Sequence, residues 1–121
     1  MAAITEELAL RYLLELSTDI RVAFLVDGED ALIAAAPELP PARILGAGAQ
    51  LAREARSLAN GSEPLVEIDV SLEGGAAFVV WEGGPALVCV TGPFALPGLI
   101  LHDMRIALAE LRRGASEEAP S

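Results

Sequence analysis

Residues 65–91 read LVEIDVSLEGGAAFVVWEGGPALVCVT. In the first nine, Val66, Ile68, Val70 and Leu72 alternate with Glu67, Asp69, Ser71 and Glu73. That is the two-residue period of a strand with one wet face. Gly74-Gly75 and Gly83-Gly84-Pro85 are turn sequences, and each leads into an almost unbroken apolar run, Ala76–Trp81 and then Ala86–Thr91. The stretch therefore predicts a three-stranded antiparallel meander. A strand that is apolar at nearly every position has both faces covered, so Ala86–Thr91 belongs in the middle of a sheet. The alternating strand belongs at an edge.

Upstream, Arg21–Val26 and Ala31–Ala36 flank Asp27-Gly28-Glu29-Asp30, a tight-turn signal, and read as a hairpin. Pro37, Pro40 and Pro41 stop the second strand. Ala42–Asn60 is then free of proline up to Gly61, which suits a helix C-terminal cap. Before the hairpin, Thr5 has the character of a cap, Glu6 and Glu7 occupy a first turn, and Leu8, Tyr12 and Leu16 recur at helical spacing with Leu13 beside them. Downstream, Gly92-Pro93 and Pro97-Gly98 bracket a loop. Ile100, Met104, Ala107 and Leu111 then form a stripe flanked by Leu101 and Leu108, and the helix they mark runs to Arg113. Residues 114–121 lack periodicity and are expected to be a flexible tail. The expected fold is α+β, an α/β sandwich of order α-β-β-α-β-β-β-α. Its five-stranded antiparallel sheet has strand order 2-1-5-4-3, with the first and third helices on one face and the second on the other.

The chain has 121 residues, of which 53% are hydrophobic, and a formal net charge of -10. Such a length suits one core. Acidic excess repels a polyanion, and one tryptophan, one tyrosine and three phenylalanines give no stacking platform, so no nucleic-acid partner is expected. The longest apolar run is broken by Glu82-Gly83-Gly84, short of the roughly 18 to 20 residues of a spanning helix, so no membrane insertion is expected. Met1–Glu7 has no basic region of the kind that opens a secretory signal. The lone Cys89 cannot form an internal disulfide and agrees with a reducing, cytoplasmic setting.

The helix carrying Leu13-Leu14-Glu15-Leu16, which runs into Ile20-Arg-Val-Ala-Phe-Leu-Val-Asp-Gly28, and the closing segment Leu96-Pro-Gly-Leu-Ile-Leu-His-Asp-Met-Arg105 resemble the roadblock/dynein light-chain domain family, in its bacterial MglB-like, GTPase-regulator form. The resemblance extends over roughly Glu6–Leu111 and makes residues 1–113 one roadblock-like domain. It implies a homodimer or heterodimer formed through the edge strand and the middle helix, with a continuous ten-stranded sheet. On that basis Val66, Ile68, Val70, Leu72, Gly46 and Ala49 are the expected dimer contacts. It further implies a non-catalytic regulator or scaffold for a small Ras-like GTPase. The alternative is a structural assembly subunit, as in dynein light chains, without a nucleotide-linked partner.

Helical projection of the middle helix places Ile44, Gly48, Leu51, Ala55 and Leu58 toward the sheet and Gly46, Gln50, Arg53 and Ser57 away from it. The outer face is small and polar, and Gln50, Arg53, Arg56 and Ser57 are the candidate partner contacts. Gly46-Ala-Gly48 is no phosphate loop: a third glycine, a preceding strand and a following lysine are all missing. Close helix packing explains a mid-helix glycine better. His102 stands with Arg105 and Arg112 on the outer stripe of the last helix, without a nucleophile to serve. Glu67, Asp69 and Glu73 share a strand face, but extended spacing holds them about 7 Å apart and no calcium loop surrounds them. Phe24, Phe78 and Trp81 are core candidates. Neither a cofactor, a metal site nor a catalytic set is expected.

Overall fold

The computed structural model describes residues 5–59 and 65–118, with side chains as far as 113. Thr5 opens helix α1 (Glu6–Leu16), its side-chain oxygen accepting the Leu8 N–H at 3.2 Å. The Leu8-Tyr12-Leu16 stripe marks the helix but is not the face that packs. Ala9, Leu10 and Leu13 are buried, while Leu8, Tyr12 and Leu16 are 54%, 58% and 49% exposed. Both sets repeat at helical spacing, and contact with the sheet and the last helix selects between them.

Strands β1 (Ile20–Val26), β2 (Leu32–Ala36), β3 (Val66–Leu72), β4 (Gly75–Trp81) and β5 (Ala86–Thr91) form one antiparallel sheet in the order β2-β1-β5-β4-β3. The pattern reading is borne out: β5 is central and β3 lies at an edge. Helix α2 (Ala42–Leu58) covers one face, burying Phe24, Val26, Val66, Val79 and Val88 beneath Ala52 and Ala55. On the other face, α1 and α3 (Pro97–Glu118) enclose Ala23, Leu25, Phe78, Val80, Leu87 and Cys89 with Leu10, Leu13, Met104 and Leu108. Trp81 is only half-buried at the end of β4. The Ser17 hydroxyl, at the C-terminal cap of α1, donates to Asp103 Oδ2 at 2.6 Å and ties α1 to α3.

Helix α3 begins on Pro97 itself, a first-turn position whose missing N–H costs no hydrogen bond. It continues to Glu118, past the expected end at Arg113, because extending a formed helix is cheap once it has been nucleated. Helix α2 stops at Leu58, with the Ala59 N–H bonded to the carbonyls of Ala55 and Arg56. Gly61, the expected cap, lies outside the described residues, as do residues 1–4 and 119–121.

Cys89 is fully buried, and burial pushes its thiol far above the ordinary range. The thiolate is the reactive form. An aromatic disulfide reagent should therefore label Cys89 only after denaturation; rapid labelling of native protein would show that β5 is not enclosed.

Candidate functional site

The free edge of β3 and the outer surface of α2 lie on adjoining parts of the molecule, since α2 crosses β3, β4 and β5. Among the described residues β3 pairs only with β4, from Val66 opposite Trp81 to Leu72 opposite Gly75, which leaves the backbone groups of its other side unpaired. Of the expected dimer contacts on β3, Leu72 is exposed and Ile68 and Val70 are half-buried. Val66 is already buried under α2 within the chain. Its position beside the core strand β4 takes it out of the exposed set.

On α2, Gly46, Gln50, Arg53 and Ser57 face outward as projected, and Ala49 is half-buried against the core. Leu58, expected to face the sheet, is 61% exposed. Ala52 takes part in the packed face instead, because Gly48, Ala52 and Ala55 repeat at four- and three-residue steps. Gln50, Arg53, Glu54, Ser57 and Leu58 line a shallow hollow of about 420 Å³ on the outer surface.

The two arginines of this surface are joined to the β1–β2 turn. There the Asp27 carboxylate accepts the N–H groups of Glu29 at 2.8 Å and Ala31 at 3.0 Å. The bonds from Ala31 and Glu29, aided by Arg56, hold the Asp27 carboxyl below the usual carboxylate range. Asp30, rather than Gly28, takes the left-handed conformation at φ 66°. This turns its carboxylate toward α2, where Arg53 Nη1 donates to Oδ2 and Arg56 Nη1 lies 3.6 Å from Oδ1. Arg56 Nη2 also donates to the Asp27 carbonyl and, at 3.4 Å, to that of Val26. Arg56 is thus half-buried as a brace between α2 and the turn, and its side chain does not share the open exposure of Gln50, Arg53 and Ser57. A sequence separation of 23 to 30 residues hides this cluster from local pattern reading.

The groove between α1 and α3 has no counterpart in the sequence reading. It encloses about 680 Å³ and is lined by Leu8, Tyr12, Leu16 and Ile106, with Glu15 and Glu110 among its polar residues. His102 is exposed, and the arginines on its stripe are engaged: Arg105 with Glu67 at 3.2 Å and Arg112 with Glu82 at 3.1 Å. Among the described residues, no group of three histidine, cysteine or carboxylate side chains could hold a metal ion, and no helix is long and apolar enough to cross a membrane.

This arrangement of three helices on a 2-1-5-4-3 sheet is similar to that of a Roadblock/LC7 domain from Streptomyces avermitilis, with a TM-score of 0.70 over 88% of this chain and 94% of that one, at 16% identity. The chain has the roadblock/LC7 fold. Myxococcus xanthus MglB is similar over 89% of this chain and 92% of its own, with a TM-score of 0.67 and 18% identity. The gliding protein MglB of Thermus thermophilus is similar over 90% and 87%, with a TM-score of 0.62 and 23% identity. No family model and no curated protein matches the sequence. The roadblock fold is thus evident from the backbone arrangement, at identities where side-chain roles do not transfer.

Proposed function

We propose that this chain forms a homodimer through β3 and α2 and, in the cytoplasm, binds a small Ras-like GTPase as a non-catalytic regulator or scaffold. The observation that carries the reading is the unpaired β3 edge beside an α2 surface of small and polar residues, in a fold shared with MglB. An open edge with Ile68, Val70 and Leu72 along it is a template for another strand, and a matching copy satisfies it. Across the seam the outer faces of two α2 helices would make one platform. Arg53 is its anchor, because a guanidinium can keep one carboxylate while its remaining donors reach another. The GTPase contributes the nucleotide chemistry; among the described residues no nucleophile is set beside a base.

Light scattering should give twice the 12.6 kDa chain mass, and a persistent monomer at high micromolar concentration would contradict the dimer. Pull-down from native extract in GTP and in GDP tests the partner; a dimer that captures no GTPase in either state leaves the structural-subunit reading. Arg53→Glu removes the pair with Asp30 and sets like charge against it and against the partner. It should weaken GTPase binding by about 2 kcal/mol in calorimetry while light scattering still reports a dimer. Unchanged affinity in an intact dimer would remove this face from the contact.

A further inference from the structure

The charges of β3 lie on one side of the sheet. Val66 and Ile68 pack on the α2 side, so Glu67, Asp69 and Ser71 point to the α1–α3 side, where Arg105 of α3 meets Glu67 at 3.2 Å. Asp69 is exposed, and among the described residues it takes part in no ion pair. Its neighbour across the β4 ladder is Phe78, with Val80 and Ala76 on either side, so β4 supplies no compensating charge.

Antiparallel pairing of β3 with a second copy requires a two-fold axis perpendicular to the sheet. That axis keeps both α2 helices on one side and sets odd-numbered residues opposite odd-numbered ones in every register. Glu67, Asp69 and Ser71 of one copy must then face the same set in the other, directly or diagonally, at about 5 to 8 Å. Like charges so placed oppose pairing. The even-numbered side has no such conflict, because Ile68, Val70 and Leu72 meet their own kind. A second copy therefore matches this edge in backbone and apolar contacts and mismatches it in charge.

Resting on the reading of β3 as a pairing edge, we infer that this edge prefers a strand carrying arginine or lysine at the positions facing Asp69 and its neighbours over a second copy of itself. The preferred partner is a different chain whose edge strand is apolar on the α2 side and basic on the other. The fold already contains one such neutralisation, Arg105 on Glu67. The homodimer is then the exchangeable state, displaced when the basic-faced strand is present.

The probe is a charge-reversed copy of the chain, Asp69→Lys, mixed with wild type and followed by fluorescence-detected sedimentation, with the wild type as a fluorescent-protein fusion. The mixed pair should dissociate at a concentration about tenfold lower than the wild-type pair at ~50 mM salt. The advantage should collapse near ~0.5 M salt, where the Debye length falls to about 4 Å. A control, Glu15→Lys on α1, changes the net charge equally on a helix that packs on β1, β2 and α3. Equal gains from both variants, or a wild-type pair tighter than the mixed one, would overturn the inference and leave the dimer standing. Failure of every mixture to dimerise would overturn the β3-pairing reading as well.

Discussion

Replacing Gly48 with valine is expected to lower the unfolding free energy by about 3 kcal/mol, read from urea denaturation. A Cβ at this position would overlap Cζ of Phe24 and lie 2.6 Å from its Cε2, with Val88 Cγ1 at 3.4 Å. Phe24 is fully buried between β1 and α2, so its ring cannot swing aside without opening the core. Small residues at 48, 52 and 55 are what let the α2 backbone settle this close to the sheet. Gly46, two residues earlier, has no atom within 4 Å of the same built position. Gly46→Ala should therefore gain about 0.8 to 1 kcal/mol of helix propensity. A Gly48→Val protein as stable as wild type would mean that α2 stands farther from Phe24.

The pair of glycines also marks what pattern reading can reach. A mid-helix glycine signals a close approach; the signal proves right for Gly48, which helical projection sets toward the sheet, and not for Gly46, which the same projection sets on the outer face. Alternation over 65–73 placed β3 at an edge and continuous burial placed β5 at the centre, because a strand's own residues record how many of its faces are covered. Helix faces are less secure. The Leu8-Tyr12-Leu16 stripe of α1 is as periodic as the packed Ala9-Leu10-Leu13 set, and only contact with α3 and the sheet chooses between them. Leu58 fails for a related reason: the packed face runs from Gly48 through Ala52 and Ala55 to Ala59, and Leu58 lies to one side of it. The candidate site is the least legible part. Arg53 and Arg56 look equivalent as surface arginines, and a positive φ at Asp30 decides that both turn toward the β1–β2 hairpin.

The second large effect is expected at Gly75, where substitution by alanine should cost about 3 kcal/mol and loosen the pairing edge with it. Gly75 begins β4 opposite Leu72, and a Cβ there would overlap the carbonyl oxygen of Thr91 and fall 3.2 Å from its carbonyl carbon. Those atoms are main chain, so no side-chain rotation relieves the clash. Thr91 is held in place as well: it is buried, and its hydroxyl donates to the Gly92 carbonyl at 3.0 Å. The strand that can yield is β4, at the end where the turn through Gly74, at φ 80°, hands the chain from β3. Hydrogen exchange should accordingly show faster opening of the β3 amides near Leu72 than of those near Val66, and light scattering should show a weakened dimer. Global destabilisation with unchanged relative protection along β3 would place the strain in the β4–β5 ladder instead. In that case the dimer would weaken only as far as the whole fold does, whereas a displaced edge weakens it at concentrations of denaturant where the core is intact.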